Sequence, residues 1–492
     1  MRPRFVVPMR EQKSKVALHQ PRPHRSAPVL GRSGVMREEA SRRGECDREC
    51  ESCCARGRAH PGLPLPRSTA ASRKLNTSPL RFLDIKFRFA KVSNVSFVAE
   101  FNKLPLQSWL KRSLSTTSAV VRQSLGESPV SLADFANLIS PAAGDLLEVL
   151  CRRSQQLTQQ RFGKVIRLFA PLYLSNECIN NCKYCGFSRD NPILRVTLSV
   201  DEVLREARAL KDQGFRNILL VAGEHPKFVS TSYLTDCVRA LHVEIPSISL
   251  EVGPMETLDY RPIVEAGADG LVVYQETYDR AVYAAMHTTG PKRNFDWRLE
   301  TPERAYAAGF RRLGIGALYG LADWRLEALS VAAHADYLLR NCWKAQLTIS
   351  LPRLRPSAGE FEPLTHMSDR ELVQLVCAFR LMFPDVGLVL STREPAKLRD
   401  GLIPLGITLL SAGSHTEPGG YTGAGKEKIH RTQRGRIVEL GSSEWASAPD
   451  GEIQATGQFD IADERSPREV AELIRRLGYE PVWKDWDAAL TA

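Results

Sequence analysis

The stretch VIRLFAPLYLSNECINNCKYCGFS, residues 165–188, runs from a β-prone apolar segment straight into three cysteines spaced C-x3-C-x2-C. The first ten residues are rich in branched and aromatic side chains and read as a buried strand. Seven more such runs follow at 217–222, 247–252, 270–274, 312–318, 345–351, 386–391 and 406–411. Amphipathic helical segments at 199–213, 231–242, 258–266, 301–309, 326–340 and 368–382 separate most of them. Strand and helix in alternation imply right-handed crossovers and a parallel sheet. Eight strands in about 250 residues match the size of a (β/α)8 TIM-type barrel. A doubly wound open sheet is the alternative, but no G-x-G-x-x-G follows the first strand.

Working outward, residues 98–163 read as an N-terminal helical segment. Leu110, Leu114, Leu132, Phe135, Leu138 and Ile139 recur at helical spacing, and Ser140-Pro141 opens a helix over 141–160. The barrel spans 164–412. Residues 413–492 form a C-terminal extension with a polar loop at 422–457 and a last helix at 467–477. Residues 1–97 read as a basic, disordered extension, rich in Arg, Pro and Ser. The first hundred residues carry 21 Lys/Arg against 9 Asp/Glu, while residues 101–492 carry 46 against 47. The net charge of +11 therefore belongs to the extension, and nothing in the globular part points to specific nucleic-acid binding. No run of about 18 apolar residues offers a membrane span, and the N-terminus lacks the apolar core of a signal peptide. A cytoplasmic location is expected. The acid-free stretch from Ser52 to Leu83 resembles a transit peptide, but the Glu and Cys residues between Glu38 and Cys54 do not suit one, so organelle import is the weaker expectation.

The cysteine spacing occurs twice, at Cys46, Cys50 and Cys53 and at Cys178, Cys182 and Cys185. The first copy lies in the aperiodic extension and reads as chance. The second follows the first barrel strand, and barrel active sites are built on the loops after strand C-termini. A structural zinc knuckle would need a fourth Cys or His, and no clear one is supplied. Three thiolates on a short loop can instead hold three irons of a four-iron, four-sulfur cluster. The fourth iron then stays open to chelation by a small molecule.

In that context the loop resembles the C-x3-C-x-aromatic-C motif of the radical S-adenosylmethionine superfamily. The resemblance implies one 4Fe-4S cluster on Cys178, Cys182 and Cys185, with S-adenosylmethionine chelating the open iron. Gly223 and Glu224 after the second strand resemble the superfamily's Gly-Glu motif, which holds the ammonium of the cofactor. Tyr184 resembles the aromatic near its adenine, and Glu251 at the end of the third strand is a further candidate. Further segments are similar to one branch: VAGEHP (221–226), VYQETY (273–278), WRLETPER (297–304), PRLRP (352–356), LSTRE (390–394), PGGY (418–421) and PVWKDWD (481–487). Together with the cysteine loop they resemble the 2-iminoacetate synthases, the tyrosine lyases of thiamine biosynthesis, over about residues 100–492.

That resemblance implies cleavage of the Cα–Cβ bond of L-tyrosine to 4-cresol and 2-iminoacetate. It also implies a thiazole synthase as partner and an external electron donor. Arg353 or Arg355 after the sixth strand is the candidate to hold the substrate carboxylate, since a planar guanidinium grips a carboxylate in a bidentate way; Ser350 is a candidate helper. One alternative is the related tyrosine lyase of hydrogenase maturation, which carries a second, C-terminal cluster. Here no cysteine follows Cys377. An alternative of another class is a metal-binding nucleic-acid protein built on the basic, Cys-rich N-terminus.

Overall fold

The computed structural model describes residues 96–126, 130–433, 436–441 and 453–483. The extension expected at 1–97, apart from its last two residues, therefore lies outside the described residues, as do Cys46, Cys50 and Cys53. So do most of 440–452 and the last four residues of PVWKDWD.

Eight parallel strands close into a barrel: β1 (Val165–Ser175), β2 (Asn217–Ala222), β3 (Ser247–Glu251), β4 (Gly270–Val272), β5 (Arg312–Gly316), β6 (Gln346–Ser350), β7 (Gly387–Leu390) and β8 (Leu409–Ser411). Closure comes from β1 pairing with β8, from Arg167 opposite Leu409 to Phe169 opposite Ser411. The connecting helices are α1 (Val200–Asp212), α2 (Thr231–His242), α3 (Thr257–Glu265), α4 (Thr301–Ala308), α5 (Trp324–Asn341), α6 (Asp369–Met382), α7 (Ala396–Leu402) and, after the C-terminal loops, α8 (Pro467–Arg476). Three of them start with reciprocal caps, Ser199 with Glu202, Ser368 with Glu371 and Ser466 with Glu469. Each cap satisfies orphan N–H groups at the helix start. No helix among the described residues is long and apolar enough to cross a membrane.

Alternation along the strands places the site. On β1, Ile166, Leu168, Ala170, Leu172 and Leu174 are buried in the main core together with the helices. The intervening Phe169, Pro171 and Tyr173 line the barrel interior, as do Leu219 and Val221 of β2. Successive side chains of a strand point to opposite faces, so a run that reads as uniformly apolar serves two surfaces.

The structure departs from the sequence reading in several places, among them the short helices Arg280–Met286 and Phe295–Leu299, which that reading does not contain. The helix expected over 141–160 is two, Pro141–Gly144 and Leu147–Phe162; Ser140 caps the first, accepting from the Ala143 amide. α7 was not foreseen. The polar loop expected at 422–457 contains a hairpin, His430–Gln433 with Arg436–Glu439, which adds to Leu194–Arg195 as a three-stranded sheet. Finally, Glu480–Val482 pairs in parallel with the start of β1, Val165–Arg167.

Candidate functional site

The cysteine loop leaves β1 at the C-terminal end of the barrel. Cys178, Cys182 and Cys185 are free thiols, Cys182 buried and the other two partly so. Among the described residues no group of three or more His, Cys, Asp or Glu side chains is gathered closely enough to hold a single metal ion. Burial pushes all three thiols above their ordinary range; the Lys292 ammonium opposes this at Cys182 and Cys185. Free thiols that desolvation keeps protonated, beside a fixed cation, are a donor set suited to a cationic iron cluster, because metal binding removes the proton and supplies the missing charge.

Each part of the loop is pinned by other segments. Asn181–Cys182 forms a short antiparallel pair with His287–Thr289. The Asn180 side-chain amide donates to Glu224 Oε2 at 2.6 Å and lies 3.8 Å from Cys178 Sγ. The Gln458 amide lies 3.9 Å from Cys185 Sγ, while its Oε1 accepts from the Tyr173 hydroxyl at 2.8 Å. Two glycines are required by close approach. A Cβ on Gly186 would sit 2.5 Å from the Gln458 carbonyl oxygen, and one on Gly223 would sit 2.3 Å from that of Glu177.

Tyr184 is buried, and its hydroxyl donates to His287 Nε2 at 2.8 Å. The other ring nitrogen, Nδ1, donates to the Tyr283 carbonyl at 2.8 Å, which fixes the tautomer. Burial holds His287 neutral, with its pKa down at about 3. Close by, Glu276 bonds Lys292 at 2.6 Å and Arg298 at 3.2 Å. Burial alone would raise this carboxyl, but Lys292 and then Arg298 overcome it and bring it to about 2. Glu276 adopts φ +72°, in the left-handed region, a conformation that costs energy for a non-glycine residue and clusters at functional sites.

The barrel mouth holds a cavity lined among others by Tyr173, Glu251, Tyr274, Ser350, Arg393 and Gln458. Glu251 is raised to about 7, by burial first and then by Glu276. Ser350 and Glu251 thus share one cavity, whereas Gly223 and Glu224 line a second groove beside the cysteine loop, with Ile179, Val252 and Gly253.

Of the two arginines expected to hold a carboxylate, Arg353 is already engaged. Its Nε lies 3.0 Å from Glu394 Oε1, its Nη2 meets Glu394 and Asp369, and Nη1 donates to the Met367 carbonyl. An occupied guanidinium has little left for a ligand; neither Arg353 nor Arg355 lines the cavity. Arg355 differs: its Nε is buried without a hydrogen-bond partner. It lies in the loop that reaches the cysteine loop through Ser357, whose hydroxyl is 3.3 Å from the Tyr184 carbonyl. Sequence reasoning assigned no role to Glu276, Lys292, Arg298, Arg393 or Gln458. Glu276, Arg298 and Arg393 do fall in the quoted segments VYQETY, WRLETPER and LSTRE.

Comparison with known proteins gives the family and the fold. Residues 172–330 match the Radical SAM superfamily, and 350–480 match the Biotin and Thiamin Synthesis associated domain. The second match crosses the boundary drawn at 412. The chain is 42% identical over 375 residues to the 2-iminoacetate synthase of Escherichia coli (strain K12), covering 76% of this chain and 92% of that one. Among solved structures, the FeFe-hydrogenase maturase HydG from Carboxydothermus hydrogenoformans aligns with a TM-score of 0.65 at 34% identity, over 79% of this chain and 83% of its own. Methylornithine synthase shares the fold, with a TM-score of 0.56 at 19% identity over 76% of this chain and 100% of its own. On the cysteine loop, the closed barrel and this identity together, the chain belongs to the 2-iminoacetate synthase family of the radical S-adenosylmethionine superfamily.

Proposed function

We propose that this chain cleaves the Cα–Cβ bond of L-tyrosine, giving 4-cresol and 2-iminoacetate for thiazole formation in thiamine biosynthesis. The observation that carries the reading is the placement of three free thiols at the mouth of a barrel whose cavity is walled by Glu251, Ser350 and Arg393. When bound, a 4Fe-4S cluster with S-adenosylmethionine would supply the radical chemistry. The protein's part is to hold, orient and exclude water.

In this reading Cys178, Cys182 and Cys185 hold three irons. Asn180 and Gln458 direct amide N–H groups toward two of the sulfurs, and Lys292 offsets the negative charge that the site acquires. Gly223 and Glu224 form the groove for the ammonium of S-adenosylmethionine, with Asn180 orienting the Glu224 carboxylate. Tyr184, fixed by His287, presents an apolar face near the cysteines for the adenine. Arg355, with its unpaired buried Nε, and Arg393, stacked over Phe459 at 3.3 Å from the ring centroid, replace Arg353 as the carboxylate grip. Ser350 helps them. Glu251, which titrates near neutrality, is suited to take a proton from the substrate ammonium and leave a neutral amine.

The hydrogenase-maturation alternative requires thiolates for a second cluster, and no cysteine follows Cys377. The proposal extends to a thiazole synthase as the receiver of 2-iminoacetate, to an external electron donor and to a cytoplasmic location. Anaerobically reconstituted protein given tyrosine, S-adenosylmethionine and a reductant should release 4-cresol and 5′-deoxyadenosine together. Deoxyadenosine formed without 4-cresol would reject tyrosine cleavage.

A further inference from the structure

Two cysteines outside the site face each other across the outer wall of the barrel. Cys151 lies on the helix Leu147–Phe162 and is half-buried; Cys377 lies on α6 and is fully buried. Their Sγ atoms are 3.8 Å apart, which is contact distance for two sulfurs. A disulfide needs about 2.05 Å, so each sulfur has to move only about 1 Å, within reach of side-chain rotation. The two thiols differ in exposure: Cys151 is partly open to solvent, whereas Cys377 is fully buried.

We propose that Cys151 and Cys377 form a dithiol that a small disulfide of the glutathione class converts to an intramolecular disulfide. The Cys151 thiolate attacks one sulfur of the small disulfide and expels the other as a thiolate. The Cys377 thiolate then attacks the Cys151 sulfur and expels the second small thiolate. Two protein thiols lose two protons and two electrons in total, and the small disulfide leaves as two thiols. The electrostatics suit this order. The Cys377 thiol donates to Cys151 and brings its pKa below the ordinary thiol value, with Arg370 adding to the effect. That same bond, and then burial, push Cys377 up; the bond is lost once the Cys151 sulfur is derivatised. Because 226 positions separate the two cysteines, the bond would close a loop holding β1 to β6. Such a long closure constrains the unfolded chain strongly. The pair is independent of the catalytic reading, since neither sulfur lies in the site.

The test uses the full-length protein, incubated anaerobically with oxidised glutathione, blocked with N-ethylmaleimide and digested with trypsin. Cys151 falls in the tryptic peptide 123–152 and Cys377 in 371–380, each with a single cysteine. The expected result is a linked pair of these peptides that dithiothreitol separates, with a higher melting temperature for the oxidised protein. Cys377→Ala should trap glutathione on Cys151, and Cys151→Ser should leave Cys377 unmodified. Neither variant should show the oxidation-dependent rise in melting temperature. Glutathione persisting on Cys151 of the unaltered protein, no reaction at either cysteine, or modification of Cys377 in Cys151→Ser would each overturn the proposal.

Discussion

Replacing Glu276 by Gln removes one negative charge from between the part-buried Lys292 and the buried Arg298 while keeping shape and backbone. Only 11% of the Glu276 side chain is exposed, so solvent screens its bonds to Lys292 and Arg298 weakly. A carboxyl brought from 4.5 to about 2 contributes roughly 3 kcal/mol to folding at neutral pH, taking about 1.36 kcal/mol per tenfold change in proton affinity. Breaking a buried ion pair by deleting one partner costs about 3–5 kcal/mol in general, so the two routes agree. The native-state value lies below the unfolded one, so the stabilisation is complete above about pH 4.5 and disappears as the pH falls toward 2. Equilibrium urea unfolding, followed by tryptophan fluorescence of the unloaded protein, should show Glu276→Gln less stable by about 3 kcal/mol at pH 7. The gap should narrow progressively below pH 4.5. A loss under about 0.5 kcal/mol at pH 7, the size of a neutral surface change, would refute the reasoning; so would a gap that does not narrow in acid.

Changing Cys178, Cys182 or Cys185 to Ala should each abolish cluster iron after reconstitution, while the triple change of Cys46, Cys50 and Cys53 to Ser should leave iron content unaltered; iron analysis and absorbance decide it. Arg355→Lys and Arg393→Lys should each raise the KM for tyrosine about tenfold or more, since a bidentate grip is worth at least about 1.4 kcal/mol. Arg353→Ala should instead lower stability by about 3 kcal/mol, the cost of stranding Glu394, with KM unchanged. Gly186→Ala should displace the Gln458 segment, because the new Cβ meets a backbone oxygen at 2.5 Å. Faster proteolysis within 453–463 would register that displacement.

The barrel was legible because its strands are short apolar runs alternating with amphipathic helices, several of which carry their own caps, as at Ser199, Ser230 and Ser368. α7, AKLRDGL, was not: its seven residues include Gly401 and its N-cap is a proline without a side-chain acceptor. The hairpin His430–Glu439 escaped notice because its strands are four residues each, the first polar and the second, Arg436–Glu439, exposed throughout. Its alignment comes from Leu194–Arg195, more than 230 positions earlier in the chain. The cysteine loop could be located because it abuts β1. The triad of Glu276, Lys292 and Arg298 could not, since nothing local marks a glutamate for positive φ. Nor could residue type choose between Arg353 and Arg355. What separates them in the structure is Glu394, 41 positions from Arg353, which pairs with the Arg353 guanidinium.

The central claim is a single-cluster lyase that stops at 2-iminoacetate, and iron stoichiometry combined with product analysis tests it most directly. Protein lacking residues 1–95, which keeps Ser96 and the buried Phe97, should carry about four irons per chain after anaerobic reconstitution and turnover with tyrosine. It should yield 4-cresol and glyoxylate from hydrolysed 2-iminoacetate, with no cyanide or carbon monoxide. About eight irons per chain, or cyanide released from tyrosine, would contradict the account and favour the maturation enzyme.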